Sequence, residues 1–335
     1  MDYTLEISKL IGVPINPSLS VPVEISAIAD VSVVEPGEKV FRFDNYDTDV
    51  AQILDVDTTN ANITAVKRSP VDDTELTFKG LNSQMEYVHI DDVIDSPDLD
   101  VLGRKKLRIA SAMDKLELRC ILNAIIDGKT PGMVGGTHAL EDAIPEVSLE
   151  SGDDLYDVIL KMKHQVEDYG DNYVLLAGVT VKEKIDVFDK EKASTFNYSV
   201  TLSTKLKELG IDVLKIFGKV KWTGGLHNIG AGGYADDAVA TRLLSATKAI
   251  LVCKNSRIAS GKPIIFVRRK ISEKIAKLMG AEVDNAQRAS IVVPTPVPVT
   301  NTQKLAYAVY GYEKIIWAIV NPYAITKTPD LTDYL

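Results

Sequence analysis

Cysteine is nearly absent: only Cys120 and Cys253 occur in 335 residues. Both sit in apolar surroundings (CILNAII and AILVC), so each reads as a buried small hydrophobe and a disulfide framework is excluded. That usage fits a reducing compartment. Histidine is also scarce, with four residues. His89, His138, His164 and His227 are scattered, without HExxH or Cys–His spacing, which removes the usual zinc sites. Long hydrophobic runs are missing too. Stretches such as Ile315–Val320 fall far short of the ~20 residues a membrane helix needs. The opening MDYTLEISKL is acidic and has no apolar run, so no signal peptide is expected.

Excess positive charge is also lacking. The formal net charge of −9 speaks against the whole-chain basic footprint of a sequence-specific nucleic-acid reader. The charge is unevenly spread. Residues 1–100 hold 20 acids against 6 bases (net −14), and the remaining 235 hold 27 against 32 (net +5). An acidic front and a mildly basic body attract only at contact range, because salt screens beyond about 8–10 Å.

No catalytic signature stands. Gly128-Lys129-Thr130 ends like a phosphate loop, but Asn123 occupies the position of the required first glycine, and the triplet closes a helix where a phosphate loop opens one. Gly230-Ala231-Gly232-Gly233 lacks the GxGxxG spacing and a buried strand leading in. No GxSxG elbow is present. The acid pairs Asp72-Asp73, Asp91-Asp92 and Asp236-Asp237 read as turn formers and solvated charge. The chain is therefore expected to have no catalytic residue, no cofactor and no metal.

What is there is an ordinary globular composition, 45% hydrophobic and 25% charged, enough for one or two cores. Residues 1–29, punctuated by Pro14, Pro17 and Pro22, read as an extended arm with no helical period. Residues 30–90 read as a long β-excursion. VSVVEPGEKVFRF alternates around Pro36-Gly37, alternation resumes in ELTFKG and MEYVHI, and the polar tip lies near Lys67–Thr74. A two-stranded ribbon is marginal in isolation and needs a partner surface.

A long helix follows. Ser96 can cap it, Pro97 suits its first position, and Leu102, Ile109, Met113, Leu116, Cys120 and Ala124 recur at helical steps to a stop at Asp127-Gly128. Such a helix is about 42 Å long at ~1.5 Å per residue. A second helix is expected from Ser151 to Gly170, with Asp153 and Asp154 in its first turn. Then come a buried strand (172–178), short helices (179–190 and 205–211), a glycine-rich loop (222–237), strands at 248–253 and 262–267, and a short helix near 272–279. IVVPTPVPV carries Pro294, Pro296 and Pro298 at alternate positions, which indicates an edge strand or polyproline segment. Residues 304–325 read as two strands hinged at Gly311.

This order of arm, excursion, long capped helix, mixed α/β region, glycine-rich loop and closing strands resembles the capsid proteins of tailed bacteriophages, a fold shared with encapsulins. The resemblance implies an α+β, Hong Kong 97-like fold. Its parts would be an N-terminal arm (1–29), an extended β-hairpin or E-loop (30–90), a peripheral domain with the spine helix (91–170), an axial domain (171–299), and return strands with a C-terminal tail (300–335). It implies a non-enzymatic major capsid protein that self-assembles through hexamers and pentamers into an icosahedral shell around phage DNA. Lys67, Arg68, Asp72 and Asp73 at the E-loop tip would contact neighbouring subunits, and Gly225, His227, Gly230, Gly232 and Gly233 would form the capsomer-axis loop. Partners would be other copies of the chain and scaffolding and portal proteins, with packaged DNA close by non-specifically and no membrane. The location would be the virion capsid, assembled in the host cytoplasm. An encapsulin shell, another virion structural protein and an α/β enzyme are the rival readings.

Overall fold

The structure is a computed structural model and describes residues 22–38, 40–44, 73–83, 86–89, 100–127, 129–130, 138–139, 144–196, 202–220, 241–256, 261–272, 274, 288–299 and 302–335. The chain enters through α1 (Val23–Ile28) and β1 (Ala29–Val34), followed by β2 (Val40–Asp44) and β3 (Asp73–Thr77). Two short strands, β4 (Lys79–Asn82) and β5 (Glu86–His89), precede the long helix α2 (Asp100–Asp127). Next come β6 (Lys129–Thr130), β7 (His138–Ala139), α3 (Leu155–Val166), β8 (Gly170–Ala177), α4 (Val179–Phe196) and α5 (Leu202–Glu208). The strands that follow among the described residues are β9 (Ile211–Lys215), β10 (Lys219–Val220), β11 (Thr241–Arg242), β12 (Ala249–Ser256), β13 (Ile264–Arg269), β14 (Arg288–Val299), β15 (Thr302–Ile319) and β16 (Ile325–Lys327). The expected α+β class holds.

Two sheets and one helix make the frame. Strand β15 organises the first sheet, with β13 and β14 following one another along one side of it and β4 and β5 along the other. Strand β1 adds parallel to β13, a pairing between residues more than 230 positions apart in the chain. The second sheet has the order β16-β12-β8-β9. Helix α2 lies between the sheets. Its Cys120, Ile121, Leu122, Ala124 and Ile125 are buried in one core with Phe266, Ile315 and Trp317 of the first sheet and Val174, Leu176, Ile250 and Val252 of the second. The alternate residues Tyr173, Leu175, Leu251 and Cys253 face a second core closed by α3, α4 and α5. Both faces of β8 and β12 are thus buried, which is why NYVLLAG and AILVC read as unbroken apolar runs.

Several expectations need correction. The arm does not stay extended to residue 29. Pro22 O accepts from Ser26 N at 2.9 Å, and the single helical turn of α1 buries Ile25 and Ile28 completely in the first core. Six residues are too few to show a helical period, so only the burial reveals it. The second helix starts at Leu155, because Ser151-Gly152 turn with Gly152 at φ 103° and Asp154 is the cap. Its side chain accepts from Tyr156 N and Asp157 N, and the Asp157 side chain accepts from Asp154 N in return. The helix expected at 179–190 runs on to Phe196, and Ile211 belongs to β9. Strand β15 passes through Gly311 without a hinge, since Ser83 holds that residue at both backbone groups: Gly311 N donates to Ser83 Oγ (2.7 Å) and Ser83 N to Gly311 O (2.9 Å). Residues 90–99, with the expected cap Ser96-Pro97, lie outside the described residues, and so does the helix expected near 272–279 apart from Ser272 and Lys274.

The prolines of β14 agree with an edge. Among the described strands β14 pairs only with β15, and residues at alternate positions point their backbone groups to the same side. Three missing donors are therefore tolerated on one flank.

The junction between β8 and α4 depends on close backbone approach. A Cβ on Gly178 would stand 2.1 Å from Ser245 O and 2.5 Å from Ala246 O. Gly178 N donates to Lys248 O at 2.9 Å and Thr180 N to Ala246 O at 3.0 Å, so the two segments cannot part without breaking bonds. Gly178→Ala is expected to lower stability by about 2–3 kcal/mol, read as a lower denaturation midpoint at unchanged m value.

Candidate assembly surface and buried ion cluster

The excursion begins where β1 ends. Glu35, Pro36, Gly37 and Glu38 turn away from the sheet, with Gly37 at φ 111°, a conformation that favours glycine. Strands β2 and β3 then pair antiparallel with each other and with no other described strand. Their register sets Val40 against Thr77, Arg42 against Glu75 and Asp44 against Asp73, which closes the base of residues 45–72. The expected 30–90 excursion is thus narrower than its sequence suggested, because β1, β4 and β5 belong to the body.

Both roots of the ribbon are fastened, and Arg269 touches both. Its Nη1 donates to Glu38 O at 2.8 Å before β2, and its guanidinium lies 5.5 Å from the Phe78 ring after β3. A stacked cation of this kind contributes about 0.5–1 kcal/mol at exposed sites. Lys270 N donates to Val34 O at 2.9 Å, and Lys270 Nζ meets Glu35 Oε1 at 2.5 Å. Sequence reasoning missed Arg269. The available signal was the paired basic residues that end the apolar strand IIFVRR.

Asp73 is the one expected tip residue among those described, and it stands at the base of the hairpin, opposite Asp44. Lys67, Arg68 and Asp72 lie outside the described residues, as do Gly225, His227, Gly230, Gly232 and Gly233. Strands β10 and β11 pair antiparallel and bring the two ends of the 221–240 segment together. His164 is exposed, with Nδ1 2.9 Å from Glu167 Oε1, as a surface reading requires. Cys120 and Cys253 are both buried free thiols. Among the described residues no group of three or more His, Cys, Asp or Glu could hold a metal, and no helix is long and apolar enough to cross a membrane.

The densest chemistry is buried and ionic. Strand β13 ends along β15 where β14 begins, so Arg268 stands opposite Ile315 and Arg288 opposite Glu313, two positions apart on one face. Helix α2 crosses that face and supplies Asp114 and Glu117. Arg268 donates to Glu117 twice, Nε to Oε1 at 2.8 Å and Nη2 to Oε2 at 2.6 Å. Arg288 donates through Nε to Glu313 Oε2 (2.5 Å) and through Nη1 to Asp114 Oδ1 (2.6 Å). Its Nη2 lies 2.8 Å from Glu117 Oε2 but makes no hydrogen bond, so that contact is Coulombic.

Arg268, Arg288, Glu117 and Glu313 are essentially inaccessible, while the Asp114 side chain is 32% exposed. Burial works against the charge on Arg288, but Glu313, Glu117 and Asp114 overcome it and hold the guanidinium ionised. Burial, then the nearby Glu117, pushes the Glu313 carboxyl up to about 8, with Arg288 and Arg268 opposing. Charged residues interrupting apolar segments (MDKLELRC, IIFVRR, YEKII) were the only sequence sign of this cluster.

No known family profile matches the chain, and no curated protein does. Among solved structures it is similar to the virus-like particle from Pyrococcus furiosus, at 14% identity over 98% of this chain and 100% of that one, with a TM-score of 0.48. It is also similar to the capsid of the cyanophage P-SCSP1u (10% identity, 91% of this chain and 86% of that one, TM-score 0.48). The SrpI encapsulin from Synechococcus elongatus PCC 7942 is a third (12% identity, 96% and 94%, TM-score 0.42).

Proposed function

We propose that the chain is a shell-forming structural subunit, a major capsid protein whose copies assemble through hexamers and pentamers into a closed container for phage DNA. The observation that carries this reading is the ribbon of β2 and β3. Its strands find no other described strand to pair with, while Arg269 and Lys270 fix its departure from the body. A hairpin of two five-residue strands is marginal by itself, and a neighbouring copy is the natural surface to brace it. In this reading the E-loop is the ribbon of β2 and β3 with the intervening residues 45–72, of which Lys67, Arg68 and Asp72 reach the neighbour, and α2 is the spine of the peripheral domain. The axial domain holds the second sheet, and Gly225, His227, Gly230, Gly232 and Gly233 point to the capsomer axis. The scaffolding and portal proteins of the assembly, and its formation in the host cytoplasm, belong to the same proposal.

The acidic balance supports containment rather than grip, since each phosphate contact by a cation adds affinity that opposes movement of DNA along the wall. Electron microscopy and sedimentation of the purified full chain test the reading. Shells, rings or tubes of megadalton size are expected. A monodisperse monomer at all protein and salt concentrations overturns it.

A further inference from the structure

The stem of the 221–240 segment is too short to hold its own direction. Strands β10 and β11 share two residue pairs, Lys219 with Arg242 and Val220 with Thr241, extended by the bond from Leu243 N to Gly218 O at 3.2 Å. A ladder of that length is marginal by itself, so the surface beneath it decides where it points. That surface is α2. Val220 and Leu243 are buried in the core that also takes Leu118, Ile121 and Leu122 of the helix.

Apolar burial is not directional, and Arg119 supplies the direction. Its Nη1 donates to Arg242 O at 3.0 Å and to Leu243 O at 2.9 Å, the carbonyls of two successive residues at the end of β11. Bonds from a charged donor are the stronger kind, and two of them fix the rotation of a strand as well as its position. Lys115, four residues earlier on α2, lies along the other side of the stem. A Cβ on Gly218 would stand 3.5 Å from Lys115 Cε and 3.7 Å from Leu243 Cδ1. Both halves of the stem therefore touch the same stretch of one helix.

The geometry points to Arg119 as a positioning residue that locks the stem of the 221–240 segment to α2, so that stem and helix turn as one rigid part. The consequence for assembly rests on the proposed shell reading, in which this segment faces the capsomer axis. Head-to-tail contacts close into a ring only when each copy rotates the next by the angle that closes, and otherwise they grow open. A stem free to swing on α2 spoils that angle. A locked one repeats it in every copy.

Arg119→Met keeps the apolar stem of the side chain and removes its donors. The bond to Arg242 O is exposed, so water can replace the guanidinium there and the fold should survive. Hydrogen exchange on the full chain, read by mass spectrometry, should show the Leu243 amide exchanging roughly tenfold faster than in the native chain. The paired amides of β8 and β12 should be unchanged. Electron microscopy of the same samples should show open or irregular particles in place of closed ones. Arg119→Lys, which keeps a charged donor on a different head group, should lie between the two in both readings, and it carries the test if Arg119→Met does not fold. Unchanged exchange at Leu243 overturns the lock. Faster exchange with closed particles of native form overturns the role in ring closure, because a merely structural contact would loosen the stem without altering the assembly. If the native chain forms no particles, the shell reading fails, and the exchange measurement alone decides whether Arg119 holds the stem.

Discussion

Replacing residues 45–72 by an Asn-Gly turn between Asp44 and Asp73 is expected to leave a folded chain that no longer closes into shells. The register makes the replacement feasible, because Asp44 and Asp73 are already directly opposed and a two-residue turn is the usual closure of an antiparallel pair. The body should tolerate it. Among the described strands β2 and β3 pair only with each other, and shortening a 28-residue loop to two residues favours folding by about 2 kcal/mol in closure entropy.

Assembly responds differently. If the ribbon contributes even ~3 kcal/mol to one subunit contact, its loss costs more than a hundredfold in that association constant. A closed shell repeats the loss at every symmetric contact. Sedimentation and electron microscopy should find small species where the full chain gives large ones, with a thermal transition no lower than that of the full chain. Shells that form from the shortened chain at the same concentration would sink the proposed role of the ribbon. Arg269→Ala should act in the same direction and more weakly, since Lys270 still fixes one root.

The features that sequence made legible were the local ones. The spacing from Leu102 to Ala124, with the stop at Asp127, anticipated α2, whose last residue is Asp127. The apolar run 172–178 anticipated β8, and the alternate prolines anticipated that β14 sits at an edge. What stayed hidden depends on contacts between distant parts of the chain. The parallel pairing of β1 with β13 joins residues 29–34 to 264–269, and no periodicity records such a partner. Alternation in VSVVEPGEKVFRF was real, yet its first half belongs to the sheet and its second half to the ribbon. The continuity of β15 through Gly311 rests on Ser83, whose hydroxyl and amide serve a glycine 228 positions away. For the ionic cluster, hydrophobic periodicity flagged the faces of α2, β13 and β15 but treated Glu117, Arg268 and Glu313 as interruptions of them.

Those interruptions are where the largest stability effect is expected. Glu117→Met should lower stability by about 3–5 kcal/mol, because removing one partner of a buried pair leaves the others charged in a dry core. Arg268 then loses both hydrogen bonds to Glu117, and Arg288 loses a Coulombic contact. Arg268→Met should cost a similar amount, since Glu117 would keep only the misaligned approach of Arg288 Nη2. The double replacement removes both charges together and fills similar volume with a flexible apolar side chain. It should therefore lose far less than the two single losses combined, with a coupling of at least ~2 kcal/mol in a double-mutant cycle by urea denaturation. Additive losses would mean that the pair does not act as a unit. A strong coupling with a nearly neutral double variant would mean that the pair contributes little net stability and fixes position instead. Glu117 then selects the one seating of α2 that brings its carboxylate to both arginines, and any slide along the helix axis strands charge in the core.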